Sequence, residues 1–368
     1  MSFYEKLQEY RDFDFESFFS KVTKEDIEKI LHKDIIHEKD FLKLLSPAAE
    51  NYLEVMAQKA REISLKNFGK TVVLYTPIYI ANFCVNGCAY CGYNVKNKIK
   101  RKQLTMEEIE KEAKAIYETG MRNIIVLTGE SKVQTPVSYI RDAIKLLKKY
   151  FSSICIEIYP LEVDEYKELV EAGADSLTIY QETYNEEKYS KVHLSGPKKN
   201  FKFRLDAPER VCKAGIHSIG AGALLGLYKW RQEAFFTGLH AMYIQEKFPS
   251  VEISMSAPRI RPHAGSFNDV YDVNDKNIVQ VILAYKMFLP RAGTNITTRE
   301  PASFRDSLIP MGVTKMSAGV STEVGGHSIK DKGEGQFDTN DKRSVAEVYN
   351  KIKELGYNPV FKDFENAL

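Results

Sequence analysis

Cysteine is scarce in this chain. Five among 368 residues is a low and odd count, which argues against a disulfide framework. An excess of charge is missing too. The 52 basic and 50 acidic residues leave a net +2, so the totals give no electrostatic case for nucleic acid or an acidic membrane. No helix-turn-helix pattern or basic patch is visible along the chain. No apolar run is long enough to span a bilayer, and the N-terminal "MSFYEKLQEYRDFDFESFF" has no apolar signal core. These absences predict a cytoplasmic protein. The 43% hydrophobic and 28% charged content is that of an ordinary globular chain with ample material for a core.

Residues 1–70 read as helical, with apolar residues at helical spacing in "EDIEKILHK" and "AAENYLEVMAQKAREIS". From Thr71 short β-branched runs alternate with helical stretches. Strands are expected near 72–79, 123–128, 154–159, 176–181, 217–224, 251–257, 294–298 and 314–318. Gly120, Gly173, Gly215, Gly293 and Gly312 stand where helices should end in a left-handed residue before the next strand. Thr105 with Glu108, and Ser344 with Glu347, form capping boxes. Thr135-Pro136 and Asp206-Ala207-Pro208 place a cap residue ahead of a proline. Eight alternating units over roughly 250 residues predict a parallel (β/α)8 TIM-type barrel, of the α/β class, rather than an open doubly wound sheet. The expected organisation is a helical extension over 1–70, the barrel over 71–319, and a C-terminal lid, helix and tail over 320–368.

Three of the cysteines fall in "NFCVNGCAYCGYN", as Cys84, Cys88 and Cys91, directly after the first strand. Active sites of such barrels lie at the C-terminal ends of the strands. Structural zinc wants four ligands. A redox pair of Cys88 and Cys91 leaves Cys84 unexplained, while Cys155, in a strand, and Cys212, in a helix, read as small core residues. An iron–sulfur cube fits best. It normally takes four thiolates, so three leave one iron open to a ligand that is not protein. The non-catalytic alternative is an iron–sulfur or zinc sensor.

The C-x3-C-x2-C spacing, with Tyr90 before the last cysteine, resembles the radical S-adenosylmethionine enzymes. The resemblance implies a [4Fe–4S] cluster on Cys84, Cys88 and Cys91. Its open iron would be chelated by S-adenosylmethionine, whose sulfonium is cleaved by one electron to give a 5′-deoxyadenosyl radical. It also implies a cofactor site. "LTGES" is similar to the family's turn at the cofactor amino group and supplies Gly129 and Glu130. Glu157 ends strand 3, Gln181 and Glu182 end strand 4, and Arg204 resembles the arginine that meets the cofactor carboxylate. Tyr90 and Arg259 join this set. "GAGALLGL" is expected to let backbone approach the cofactor.

"YQETYNEEKYSKVHLSGPKKNFKFRLDAPERVCKAGI", "APRIRP", "TTREPASFRDSLIPMGVTKMSAG" and the "GQF…DKRS…NPVFKDF" ending narrow the resemblance to the tyrosine-cleaving branch of that family, over nearly the whole chain from about residue 20. It implies cleavage of the Cα–Cβ bond of L-tyrosine to p-cresol and dehydroglycine (2-iminoacetate). A thiazole synthase would receive the dehydroglycine, and a flavodoxin- or ferredoxin-type protein would donate electrons. Alternatives are a tryptophan lyase and a maturase-type tyrosine lyase. The latter carries further C-terminal cysteines, whereas none follows Cys212 here. The substrate carboxylate needs a cation, with Arg305 as first choice, Arg299 as second, and Ser317 sharing the load. Arg261 is a further residue of the barrel mouth. His193 is expected to anchor a loop, Tyr93 to pack, and residues 325–337 to form a lid.

Overall fold

The computed structural model describes residues 2–362. The tail 363–368, part of the expected C-terminal segment, lies outside the described residues. Strands β1 (Thr71–Ala81), β2 (Asn123–Thr128), β3 (Ser153–Glu157), β4 (Ser176–Thr178), β5 (Ser218–Gly222), β6 (Glu252–Ser256), β7 (Gly293–Ile296) and β8 (Lys315–Ser317) pair in parallel, each with the next. β8 returns to β1 through Val73↔Lys315 and Tyr75↔Ser317, and β1 also pairs with β2, so the sheet closes. The chain is therefore the expected (β/α)8 barrel. A short ninth strand, β9 (Asn358–Val360), adds in parallel to the start of β1. It falls within the expected tail.

The helix signals hold in most places. Thr105 with Glu108 and Ser344 with Glu347 form reciprocal capping boxes. Gly120, Gly173, Gly215 and Gly312 have positive φ, as the helix stops require. Gly293 does not. It is the first residue of β7, where an added Cβ would press on Thr314 and Ser254. Thr135 is no helix cap either: Pro136 occupies that position, and the Thr135 hydroxyl turns back to the Ser131 carbonyl at 3.0 Å. Asp206 precedes its proline helix but makes no side-chain cap.

The N-terminal helices sheathe one side of the barrel. Phe41 stacks on Phe288 with centroids 4.2 Å apart, and Phe3 stacks on His240 at 4.0 Å. Gln280 donates to the Leu44 and Ser46 carbonyls from inside this seam. Among the described residues no helix is long and apolar enough to cross a membrane.

The barrel axis is unusual. Instead of layers of branched aliphatics, Asn123, Ser153, Ser176, Ser218, Ser254 and Lys315 face it, with Cys155 and Thr178 in contact across β3 and β4. These mostly short side chains leave a narrow cavity that runs from the strand starts to the mouth. The segment after β8 folds back over that mouth. Glu112, buried on helix Met106–Glu118, anchors it by accepting from the amides of His327, Ser328 and Ile329 and from the Ser328 hydroxyl.

Candidate active site

The cysteine loop is stapled from both sides. The buried Asn82 side chain donates to the Lys100 and Glu334 carbonyls and accepts from the Lys102 amide. Arg101 donates to the carbonyls of Asn82, Tyr93 and Asn94 at 2.6–2.9 Å. Gly129 is needed where β2 ends, because an added Cβ would overlap the Phe83 carbonyl and touch Cys84. Held this way, Cys84, Cys88 and Cys91 line one cavity together with Glu130, Glu182 and Arg204. All three thiols are free.

This donor set fits an iron–sulfur cluster. Among the described residues no three His, Cys, Asp or Glu side chains converge as the ligands of a single ion would. A polynuclear cluster spreads its thiolates over several irons and asks for no such convergence. Burial pushes the Cys88 thiol up to about 12 and raises Cys91 as well. A bound cation is what deprotonates thiols in such surroundings. Two amide donors already face the sulfurs: Asn86 Nδ2 is 3.7 Å from Cys84 Sγ, and Gln336 Nε2 is 3.8 Å from Cys91 Sγ.

The opposite wall carries paired charges. Glu182 is the one non-glycine residue of positive φ (72°) among those described, a conformation that costs energy and persists only where neighbours enforce it. Leu224 donates to its carbonyl at 2.8 Å, while Thr183 and Tyr184 are clamped by the buried Glu233 carboxylate at 2.6 and 2.8 Å. Burial pushes the Glu182 carboxyl up, but Lys198 Nζ at 2.7 Å and Arg204 Nη2 at 3.2 Å outweigh it and the net shift is downward. Glu130 accepts from Asn86 Nδ2 at 2.6 Å. Glu157 touches both this cavity and the axial one. Burial lifts its pKa to about 7 against the pull of Arg299.

The arginines divide differently from expectation. Arg305, the first choice for the substrate carboxylate, is wholly buried on helix Ala302–Leu308. Its two Nη atoms are taken by Asp341 and the Ser317 carbonyl, so it ties the C-terminal segment to β8. Arg259 is held on the rim by Glu300, Asp275 and the Val273 carbonyl and borders neither cavity. Arg261 reaches the mouth but shares Glu300. Arg299 remains. It follows β7, lines the axial cavity, stacks its guanidinium 3.5 Å from the Phe337 ring and forms no ion pair among the described residues. Ser317 Oγ lines the same cavity and accepts from the Thr298 amide at 3.1 Å.

Gln181 is buried against Phe201 and does not border the cysteine cavity. Tyr90 is buried with its hydroxyl 2.7 Å from His193 Nε2, and His193 is the loop anchor expected. Tyr93 packs and donates to the Thr322 carbonyl. The glycines of β5 make room for neighbouring side chains: Cβ atoms at Gly220 and Gly222 would meet Thr178 at 2.8 Å and the Tyr180 ring at 2.7 Å. Lys198, Asn86 and Gln336 escape sequence reasoning. Lys198 follows "SGP" in a loop whose path the sequence does not define, and Gln336 comes from 245 residues beyond the sulfur it meets.

Comparison with known proteins places these features. Residues 78–235 match the radical SAM superfamily, and residues 256–358 match the biotin and thiamin synthesis associated domain. The 2-iminoacetate synthase of Escherichia coli (strain K12) is 37% identical over 94% of this chain and 92% of its own length. That of Salmonella typhimurium is 36% identical over the same shares. The FeFe-hydrogenase maturase HydG from Carboxydothermus hydrogenoformans superposes with a TM-score of 0.91 at 31% identity, covering 99% of this chain and 86% of its own.

Proposed function

The chain belongs to the radical SAM superfamily and, within it, to the 2-iminoacetate synthase family, and from that premise we propose how its residues divide the work. The enzyme is a lyase that cleaves the Cα–Cβ bond of L-tyrosine, giving 2-iminoacetate and p-cresol with 5′-deoxyadenosine and L-methionine as co-products. Cys84, Cys88 and Cys91 would hold a [4Fe–4S] cluster, and Gly129, Glu130, Glu182, Lys198 and Arg204 would hold S-adenosylmethionine. Together these groups would supply one-electron cleavage of the sulfonium, the source of the hydrogen-abstracting radical.

The protein's part is placement and charge. Arg204 and Lys198 are positioned to meet a carboxylate, and Glu130 and Glu182 an ammonium or hydroxyls. Tyrosine enters the axial cavity, whose lining of Tyr75, Tyr79 and Tyr180 with Ser317 and Arg299 offers an aromatic ring apolar walls and its carboxylate polar groups. Arg299 takes its carboxylate with help from Ser317, and Glu157 stands where the amino group must face the cofactor. A carboxyl of pKa about 7 accepts a proton from the substrate ammonium near neutrality, which prepares the neutral amine that loses hydrogen. Phe337 and the segment pinned by Glu112 exclude water.

The observation that carries this reading is the Arg299 guanidinium, which forms no ion pair among the described residues and lines the axial cavity together with Glu157, the residue that also borders the cysteines. 2-Iminoacetate hydrolyses readily, so we assign its direct transfer to a thiazole synthase, in the cytoplasm. The test is anaerobic incubation of the reconstituted, reduced protein with S-adenosylmethionine and either tyrosine or tryptophan. Matching p-cresol and 5′-deoxyadenosine from tyrosine, with glyoxylate from hydrolysed 2-iminoacetate, supports the reading. Deoxyadenosine without p-cresol removes tyrosine as the substrate.

A further inference from the structure

Acidic residues are missing from two stretches of this chain, and the fold brings both to the cysteine loop. No Asp or Glu occurs from Phe83 to Met106, which includes Lys96, Lys98, Lys100, Arg101 and Lys102. None occurs from Lys188 to Leu205, which includes Lys191, Lys199 and Lys202. In a chain of net charge +2 this is marked segregation, and the fold sets the two stretches side by side at the cysteine loop.

Backbone hydrogen bonds join the stretches at the cysteines themselves. Gly87 N donates to Ser195 O, Leu194 N to Gly87 O and Ala89 N to Val192 O, at 2.9–3.1 Å, while the bond from Val95 N to Asn86 O at 2.9 Å folds the first stretch on itself. While the thiols face the cavity, the outer side of this assembly exposes Val85 (46%), Val95 (46%) and Leu194 (51%). These three aliphatic side chains, all fixed around Asn86 and Gly87, stand in water beside exposed lysines. Lys100 and Lys191 have carboxylate partners, Asp331 and Glu187. Lys96, Lys98 and Lys199 have none among the described residues.

We propose that this face docks an acidic one-electron carrier protein of the flavodoxin or ferredoxin class. The inference rests on the reading that the three cysteines hold a redox cluster, and it places the electron's entry. The inner side of the loop is committed to cofactor and substrate, so reduction must come through the outer side. There Val85 is bonded directly to Cys84, and Leu194 is hydrogen-bonded to the residue before Cys88. The carrier is oxidised by one electron and the cluster is reduced by one. An apolar centre with a basic rim is the anatomy of a transient interface, and unpaired lysines steer an acidic partner at a rate that salt suppresses.

The test pairs two reductants with one charge-reversed variant, K96E/K98E, using the holoenzyme and a bacterial flavodoxin of net negative charge. Binding is titrated at low and high salt, and turnover is measured with the flavodoxin system and with dithionite. The expected result has three parts: binding at least tenfold weaker in high salt, a comparable loss in K96E/K98E, and about tenfold slower turnover with flavodoxin but not with dithionite. Equal flavodoxin affinity in variant and wild type overturns the proposal, as does an equal loss with both reductants. So does a wild-type dimer that the variant disperses, which would give the face to a second copy of this chain. If wild type binds flavodoxin in this charge-dependent way but forms no p-cresol with either reductant, the docking face stands and the tyrosine reading fails.

Discussion

Replacing Arg299 by alanine should remove tyrosine binding without disturbing the cluster. The guanidinium is half-buried, forms no ion pair among the described residues and rests on Phe337. Hydrogen bonds to charged groups contribute about 1.5–3 kcal/mol each. A forked pair to a carboxylate, discounted for partial exposure, then amounts to about 3–4 kcal/mol, or about two to three decades in kcat/KM. The loss should fall mainly on KM, because the carboxylate is held equally before and during bond cleavage. Arg299→Lys keeps the charge but not the fork and should recover only part of it. The assay is the initial rate of p-cresol formation against tyrosine concentration, on protein of verified iron content. Arg305 supplies the contrast. Breaking its buried pair with Asp341 should cost about 3–5 kcal/mol of stability, so Arg305→Ala should lower the Tm or fail to fold. A KM for tyrosine within about twofold of wild type in Arg299→Ala would refute the assignment. So would a folded Arg305→Lys protein in which KM alone had risen.

Three other perturbations follow from the same geometry. Glu157→Gln should flatten the acid limb of the kcat/KM profile, which in the wild type should rise through about pH 7 as this carboxyl ionises. Lys286 is fully buried over the Phe68 ring with only the Ala292 carbonyl as acceptor, and burial depresses its pKa to about 7. Because the unfolded chain then binds more protons between pH 7 and 10.5, stability should rise with pH across that window. Lys286→Met should remove this slope and raise the Tm at pH 7, read by thermal melts at several pH values. Glu112→Ala should free the turn at His327–Ile329 at a cost of about 3 kcal/mol, accelerating amide exchange there by about two decades while the barrel strands remain protected.

The barrel was legible because its punctuation is local. Thr105 with Glu108, Gly173 and Gly312 each announce a helix end from within a few residues. Gly293 shows the limit: a glycine that stops a helix and one that opens a strand against close neighbours look alike in sequence. β9 is three residues long with a proline at its centre, too short to carry a periodic signal. The grouping of the cysteines was legible for the same reason as the caps, since the three thiols lie within eight residues. The arginines were not. Arg299 and Arg305 stand six positions apart near one strand, and what separates their roles is Asp341, which arrives 36 residues later and captures Arg305. Lys198 was missed because its meeting with Glu182 depends on a loop path and on a backbone conformation that Glu233 enforces from a distant helix.

The most direct test of the central claim is turnover of L-tyrosine in deuterium oxide, with the masses of the products recorded. Hydrogen lost from the substrate amino group exchanges with solvent, so the account predicts p-cresol equimolar with 5′-deoxyadenosine carrying one deuterium. Undeuterated 5′-deoxyadenosine, or deoxyadenosine formed without p-cresol, would contradict it.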